Sequence, residues 1–139
     1  MRFILTAISG KKYDDEVYEV VLPTMDGQIG VLSHHMPLFS AVAPGVIMIR
    51  KHARDPDSAL EYFAVYGGAI EISDNTLRVL VDEASRPDEI NEAEAKVAMQ
   101  RAEKMKAEAK DQASLEHAQA LVDRQAVRLQ VAGLKRRHH

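Results

Sequence analysis

Three histidines, a short acidic run and a basic end are the residues of this 139-residue chain whose types could carry chemistry. His34 and His35 are adjacent and cannot easily share one ion, and no carboxylate or further histidine, His52 included, stands at a ligand spacing from them. No metal site is expected. Asp14, Asp15 and Glu16 read as a solvated loop, while Asp82 and Glu83 close a strand and flank a hinge. Gly27-x-x-Gly30 is too short for a dinucleotide fingerprint and does not open a helix. The chain offers no Ser-His-Asp set, no paired catalytic carboxylates and no phosphate-cradling glycine loop with a lysine. It has no cysteine, which excludes disulfides, thiolate zinc and cysteine nucleophiles. By itself it is not expected to be an enzyme.

The basic end holds Arg124, Arg128, Lys135, Arg136 and Arg137, with no acid after Asp123. One reading is a solvated helix face with a cationic terminus favoured by the helix dipole. The other is a docking element for an acidic partner. Exposed ion pairs contribute roughly 0–1 kcal/mol each and are screened by salt, so such a set biases docking by a few kcal/mol without building a tight complex. Nucleic acid is not an expected partner, because the net charge is -3 and the basic residues lack interleaved aromatics.

The elements that must position these residues fall into two kinds. From Arg2 to Val81 the apolar residues alternate or cluster in short pieces between turn signals, the pattern of an antiparallel sandwich or barrel. Arg2 to Ser9 sets Phe3, Leu5 and Ala7 on one face and Ile4, Thr6 and Ile8 on the other, a strand expected to be covered on both sides. Lys11-Lys12 reads as a solvated turn and Tyr13 to Leu22 as one strand. Leu22 to Gly45 reads as a loop-rich rim, with an Asp26-Gly27 turn, a brief strand over Gln28–Leu32 and an extended Met36-Pro37. Strands follow at Val46–Arg50, Leu60–Val65, Ile70–Ser73 and Thr76–Val81. Gly67-Gly68 marks a bulge or close backbone approach, and Asp74-Asn75 a tight hairpin.

Beyond Arg86-Pro87 the composition shifts to Ala, Glu, Lys, Gln, Arg, Met and Leu, the good helix formers. Asn91 is the expected N-cap, with Glu94 completing a capping box; Asp88 is the alternative. Glu92 and Lys96 form a favourable i,i+4 pair. Ala98, Ala102, Met105 and Ala109 line one helix; after a break at 111–114, Ser114 caps a second that stacks Leu115, Ala118, Val122, Ala126 and Leu129 and ends at Gly133. The expected architecture is thus α+β: a β-sandwich domain over 1–85 and an antiparallel αα-hairpin over 86–139. An alanine seam packs closely but shallowly, about 0.8 kcal/mol per buried methyl, so the hairpin is an expected two-position element. No apolar run approaches the ~20 residues that span a bilayer, and the start lacks a secretory h-region. His138-His139 receive no function.

Asp26-Gly27-Gln28-Ile29-Gly30, His35-x-Pro37-Leu38, Pro44-Gly45, Gly67-Gly68-x-Ile70-Glu71-Ile72 and Thr76-Leu77-Arg78-Val79-Leu80-Val81 form a series whose order and spacing resemble the epsilon subunit of bacterial F-type ATP synthases. Ser33 and His34 depart from that family's Pro-Gly-His-x-Pro; if the glycine position needs positive φ, His34 reshapes the turn.

The resemblance implies a non-catalytic rotor subunit of the central stalk. It would couple proton or sodium flow through the c-ring to ATP synthesis and restrain hydrolysis through the C-terminal helices. Implied partners are gamma, the c-ring and the alpha/beta head, with the chain peripheral on the cytoplasmic side of the inner membrane and monomeric when isolated. By residue match, Asp26 and Gln28 lie on the c-ring-facing loop, with Gln28 where an acid is common; His35 and Pro37 lie at the gamma-facing rim. Arg124, Arg128, Lys135 and Arg136 belong to the inhibitory arm that meets an acidic loop of the catalytic head. Some family members bind ATP through Ile/Leu-Asp-x-x-Arg-Ala. Here Ile90-Asn91-Glu92-Ala93-Glu94-Ala95 replaces Asp with Asn and Arg with Glu; Arg124 and Arg128 match a vestigial contact, so weak or no ATP binding and no cofactor are expected. The alternative that needs no resemblance is a free-standing β-sandwich binding module with a helical dimerisation hairpin, which a stable dimer would support.

Overall fold

The computed structural model describes residues 1–137, and side chains as far as Leu134; the side chains of Lys135, Arg136 and Arg137, and all of His138 and His139, lie outside the described residues. The chain divides into two compact units, Met1–Ser85 and Arg86–His139.

The first unit is built from β1 (Arg2–Ala7), β2 (Gly10–Glu16), β3 (Glu19–Thr24), β4 (Gly27–Leu32), β5 (Leu38–Val42), β6 (Gly45–Arg50), β7 (Glu61–Val65), β8 (Gly68–Ser73), β9 (Thr76–Val81) and β10 (Ala84–Ser85). They form one sheet in the order β10-β7-β6-β3-β5-β8-β9-β1-β2, with β4 on β3, folded around a common core as a sandwich. Neighbouring strands run antiparallel except β1 beside β9, which is parallel. Phe3, Leu5, Val20, Leu22, Ile47, Phe63, Ile70 and Leu77 are fully buried. At roughly 1.5–3 kcal/mol per buried aliphatic or aromatic side chain, this core dominates the unit's stability.

Two turns follow the expected chemistry. Asp74 (φ 52°) and Asn75 (φ 54°) both take the left-handed conformation between paired Ser73 and Thr76, a type I′ hairpin. Gly68 (φ 153°) lies so close to β9 that a Cβ there would stand 2.1 Å from the Leu80 carbonyl oxygen, the predicted close approach.

Elsewhere local pattern and tertiary context differ. The first turn falls at Ile8-Ser9, and Lys11 and Lys12 enter β2 because Thr6 of β1 pairs with Lys11 past an irregularity in register. Tyr13 to Leu22 is two strands. The Val17 N–H donates to the Met1 carbonyl (2.8 Å) and the Tyr18 N–H to that of Arg50 (3.0 Å), so the chain leaves β1 for β6 at this point. The acidic run is not a free loop: Asp14 accepts from Arg2 Nε (2.9 Å) and Lys11 Nζ (2.8 Å), and Asp15 pairs with Lys51 (2.7 Å). The stretch from Leu22 to Gly45 is mostly strand, since β5 pairs with β8 over its whole length between Pro37 and Pro44. β1 is covered on one face, that of Phe3, Leu5 and Ala7; Ile4 and Thr6 on the other are half-buried, and Ile8, in the turn that follows, is exposed.

The second unit opens with a 3-10 turn (Pro87–Glu89), in which the Arg86 N–H donates to Glu89 Oε1 at 3.0 Å. Helices α1 (Glu92–Glu108) and α2 (Gln112–Arg137) then pack against each other. Asn91 caps α1 by accepting the Glu94 N–H (3.1 Å), the asparagine half of the expected box, and Glu92–Lys96 forms at 3.7 Å. The cap of α2 is Asp111, which accepts the Ser114 N–H at 2.7 Å; the serine's own amide is what needs capping. Gly133 does not end α2, which continues to Arg137. The seam also shifts phase. Ala95, Ala102 and Ala118 are buried, followed by Val127, Val131 and Ala132, whereas Met105 and Ala126 are exposed.

Candidate partner-binding surface

β4 separates the residues that adjacency in sequence had grouped together. The β3–β4 turn at one of its ends carries Asp26 and, just inside the ladder opposite Pro23, Gln28; both are exposed. Thr24 ties this tip by donating Oγ1–H to the Gly27 carbonyl (2.6 Å) and accepting the Asp26 N–H (3.3 Å). Met25, 76% exposed, projects an apolar side chain from it. His35, half-buried, and Pro37, exposed, lie beyond the other end. A six-residue strand spans about 17–20 Å, so tip and rim are two surfaces.

The rim has an unusual backbone. His34 sits at φ 66°, a conformation that costs a non-glycine residue roughly 1–2 kcal/mol. Its N–H donates to Asn75 Oδ1 at 2.8 Å, a bond whose net contribution, about 0.5–1.5 kcal/mol, is of the same size. His34 therefore keeps the left-handed turn expected where the motif has glycine. The His35 N–H donates to the Leu32 carbonyl (3.2 Å), and its Nδ1 lies 2.8 Å from the Met36 carbonyl oxygen, which assigns the proton to Nδ1 in the neutral ring.

Between rim and tip, β5, β8, β9, β1 and β2 turn an outer face to solvent. Register aligns Phe39, Glu71, Arg78, Ile4 and Asp14 across the five strands, and behind them Ala41, Ala69, Leu80, Thr6 and Lys11. Phe39 is 81% exposed and Leu80 59%. A shallow groove of ≈ 150 Å³ is lined by Ile4, Thr6, Phe39, Ala69 and Leu80 together with Glu71 and Arg78. The face is mixed: the Glu71 and Arg78 positions lie between Phe39 and Ile4 in one row, and Ala69, Leu80 and Thr6 adjoin in the next, exposed apolar groups among polar ones as at a protein-docking surface. Sequence reasoning missed Phe39 and Leu80. The available signal was the second apolar face of β1: Ile4 and Ile8 need a cover, and a neighbouring strand of this chain does not supply it.

The electrostatics of the unit lie beside this face. Arg2 and Lys11 hold the Asp14 carboxyl well below the usual carboxylate range, chiefly through the Arg2 hydrogen bond. Lys51 lowers Asp15 in the same way. Among the described residues, no group of three or more His, Asp or Glu could hold a metal ion.

A family model described as "ATP synthase, Delta/Epsilon chain, beta-sandwich domain" matches residues 1–87. The ATP synthase epsilon chain of Gloeobacter violaceus is 34% identical over 121 residues, 87% of this chain and 88% of the relative. This chain belongs to the ATP synthase epsilon-chain family. The chloroplastic epsilon chain of Adiantum capillus-veneris is 36% identical over 120 residues, 86% of this chain and 87% of that one. The fold is shared with a chain of the Euglena gracilis mitochondrial ATP synthase, OSCP/F1/c-ring in rotational state 1 (TM-score 0.79, 19% identity, covering 94% of this chain and 79% of that one). It is also shared with one of the Tetrahymena thermophila mitochondrial ATP synthase central stalk/c-ring (TM-score 0.59, 15% identity, 100% and 96%).

In this epsilon-family chain the remaining expected site residues lie on the hairpin. Arg124 and Arg128 are half-buried on α2. Lys135 and Arg136 are within α2, but their side chains fall outside the described residues. At the position of the ATP motif, Ile90 is buried, Asn91 is engaged as the α1 cap, and Glu94 is exposed about two turns before Arg101. No helix among the described residues is long and apolar enough to cross a membrane.

Proposed function

We propose that the β-sandwich seats this epsilon-family chain in the central stalk, its outer face and its His35–Pro37 rim against gamma and its β3–β4 tip toward the c-ring, so that it turns with the rotor and couples ion flow to ATP synthesis. The outer face supports this reading most directly: Phe39 and Leu80 stand in solvent and line the groove between β5 and β1. The chain itself is non-catalytic and acts through the complex, peripheral on the cytoplasmic side of the inner membrane and monomeric when isolated. At the tip, Gln28 removes the charge that an acid would supply, so the c-ring contact rests on Met25, Asp26 and backbone shape.

The hairpin restrains hydrolysis. Its seam is largely alanine at Ala95, Ala102 and Ala118, shallow packing on helices of high intrinsic propensity, which suits an element that changes position without melting. Arg124, Arg128, Lys135 and Arg136 meet acidic residues of the catalytic head. ATP binds the hairpin weakly or not at all, because Glu94 places a carboxylate where phosphate would need a cation. The test is ATP hydrolysis by the assembled complex with and without residues 88–139. Raised hydrolysis after truncation supports the inhibitory arm; unchanged hydrolysis leaves a coupling subunit whose hairpin does not inhibit. Micromolar ATP affinity by isothermal titration would overturn the last point.

A further inference from the structure

We propose that Asn75 is a positioning residue for the His35 rim, through a side-chain bond that holds His34 in its left-handed conformation. Asn75 lies 41 positions from His34 in sequence, at the tip of the β8–β9 hairpin, where it holds a turn conformation and accepts two long-range hydrogen bonds. Its own φ of 54° belongs to the type I′ turn. Its carbonyl oxygen accepts the Arg2 N–H at 3.2 Å, pinning the start of β1. Its Oδ1 accepts the His34 N–H at 2.8 Å. The hairpin tip, the first strand and the rim therefore share one residue.

The consequence reaches His35 through the backbone. A histidine at φ 66° is not held there by its own preferences, as a glycine could be, so an external acceptor has to favour the conformation. Asn75 Oδ1 is that acceptor. With it removed, His34 is free to return to negative φ, which rotates the next peptide, the one that carries the His35 N–H to Leu32 and sets the direction of the imidazole against the Met36 carbonyl. Sequence changes at 34 and 75 are thus coupled: a glycine at 34 removes the need for the asparagine. That the rim then serves gamma rests on the function proposed above; the positioning itself does not.

Asn75→Gly isolates the side chain, since an Asp-Gly pair suits a type I′ turn and keeps the hairpin and the Arg2 bond. In the full chain, the expected result is a thermal midpoint close to the parent's. The His34 HN–Hα coupling should change, its amide should exchange faster, and affinity for recombinant gamma should fall about 3–10-fold, the size of one lost hydrogen bond. Asn75→Asp, which keeps the acceptor, should restore the coupling, and in a His34→Gly background Asn75→Gly should have little further effect. An unchanged His34 coupling and exchange rate in Asn75→Gly overturns the proposal. A changed coupling with gamma affinity unaltered keeps Asn75 as the positioning residue and removes gamma as the partner the rim serves.

Discussion

The Tyr13 hydroxyl donates a 3.0 Å hydrogen bond to Glu61 Oε2, joining β2, one end of the sheet path, to β7 near the other. The Tyr13 ring sits 5.4 Å from Phe3 and meets Phe63 edge-on at 6.3 Å. The sandwich is thereby closed on this side by side chains rather than by a backbone ladder, with Lys51–Asp15 extending the seam. Tyr13→Phe keeps the ring packing and deletes the hydroxyl, leaving the Glu61 carboxylate one partner short. The expected loss is about 1 kcal/mol in urea unfolding, with an unchanged m-value. No loss would show that the seam contributes packing alone.

The acidic residues that follow Tyr13 on β2 set an acid limit. Asp14 and Asp15 have folded-state pKa values below the ordinary 3.8, through hydrogen bonds to Arg2 and Lys11 and to Lys51. The unfolded chain then binds more protons in this range, so the stability from these groups is fully present above about pH 4 and is lost as pH falls through the folded values. Thermal midpoints should drop progressively below about pH 4, and an Asp14→Asn/Asp15→Asn variant should start lower and show a flatter profile. An equally steep decline in the variant would place the acid sensitivity elsewhere.

Gly68 tests the close approach of β8 and β9. A Cβ would stand 2.1 Å from the Leu80 oxygen and 2.9 Å from Val81 Cγ1, at a φ of 153°. Steric overlap and backbone strain add, so Gly68→Ala should cost about 3 kcal/mol or more in chemical denaturation. A cost within the range of an ordinary surface change would mean that the ladder shifts freely.

Those predictions draw on parts of the fold that were unevenly legible. The Asp74-Asn75 hairpin, the Gly67-Gly68 interruption and the Asn91 cap were readable because each depends on backbone chemistry confined to a few residues. Lys11, Lys12 and β5 were not. Their strand character comes from partners far along the chain, Thr6 for Lys11 and the whole of β8 for β5, and the prolines flanking β5 masked a short alternating run. The α2 seam failed for a different reason: many alanines leave several helix faces equally apolar, and packing chose Val127 and Val131 over Ala126 and Leu129. For the candidate site, residue matching assigned tip and rim to different faces, whereas the turn signals from Leu22 to Gly45 read as one continuous rim. The outer face stayed hidden because an exposed Phe39 or Leu80 looks in sequence like any other strand residue.

That face makes the interface separable from the fold. Phe39 is mostly exposed, so Phe39→Ala should leave stability within about 0.5 kcal/mol. If Phe39 anchors the gamma contact, its affinity should fall more than about tenfold by titration calorimetry. Retained affinity would move the docking surface to another part of the unit.

The central claim is membership of the rotating stalk, and capture from membranes of the source cell addresses it most directly. The full chain, tagged, should bring down gamma and the c-ring together, and the Phe39→Ala variant should bring down less of both. Recovery of neither by the full chain would contradict the account.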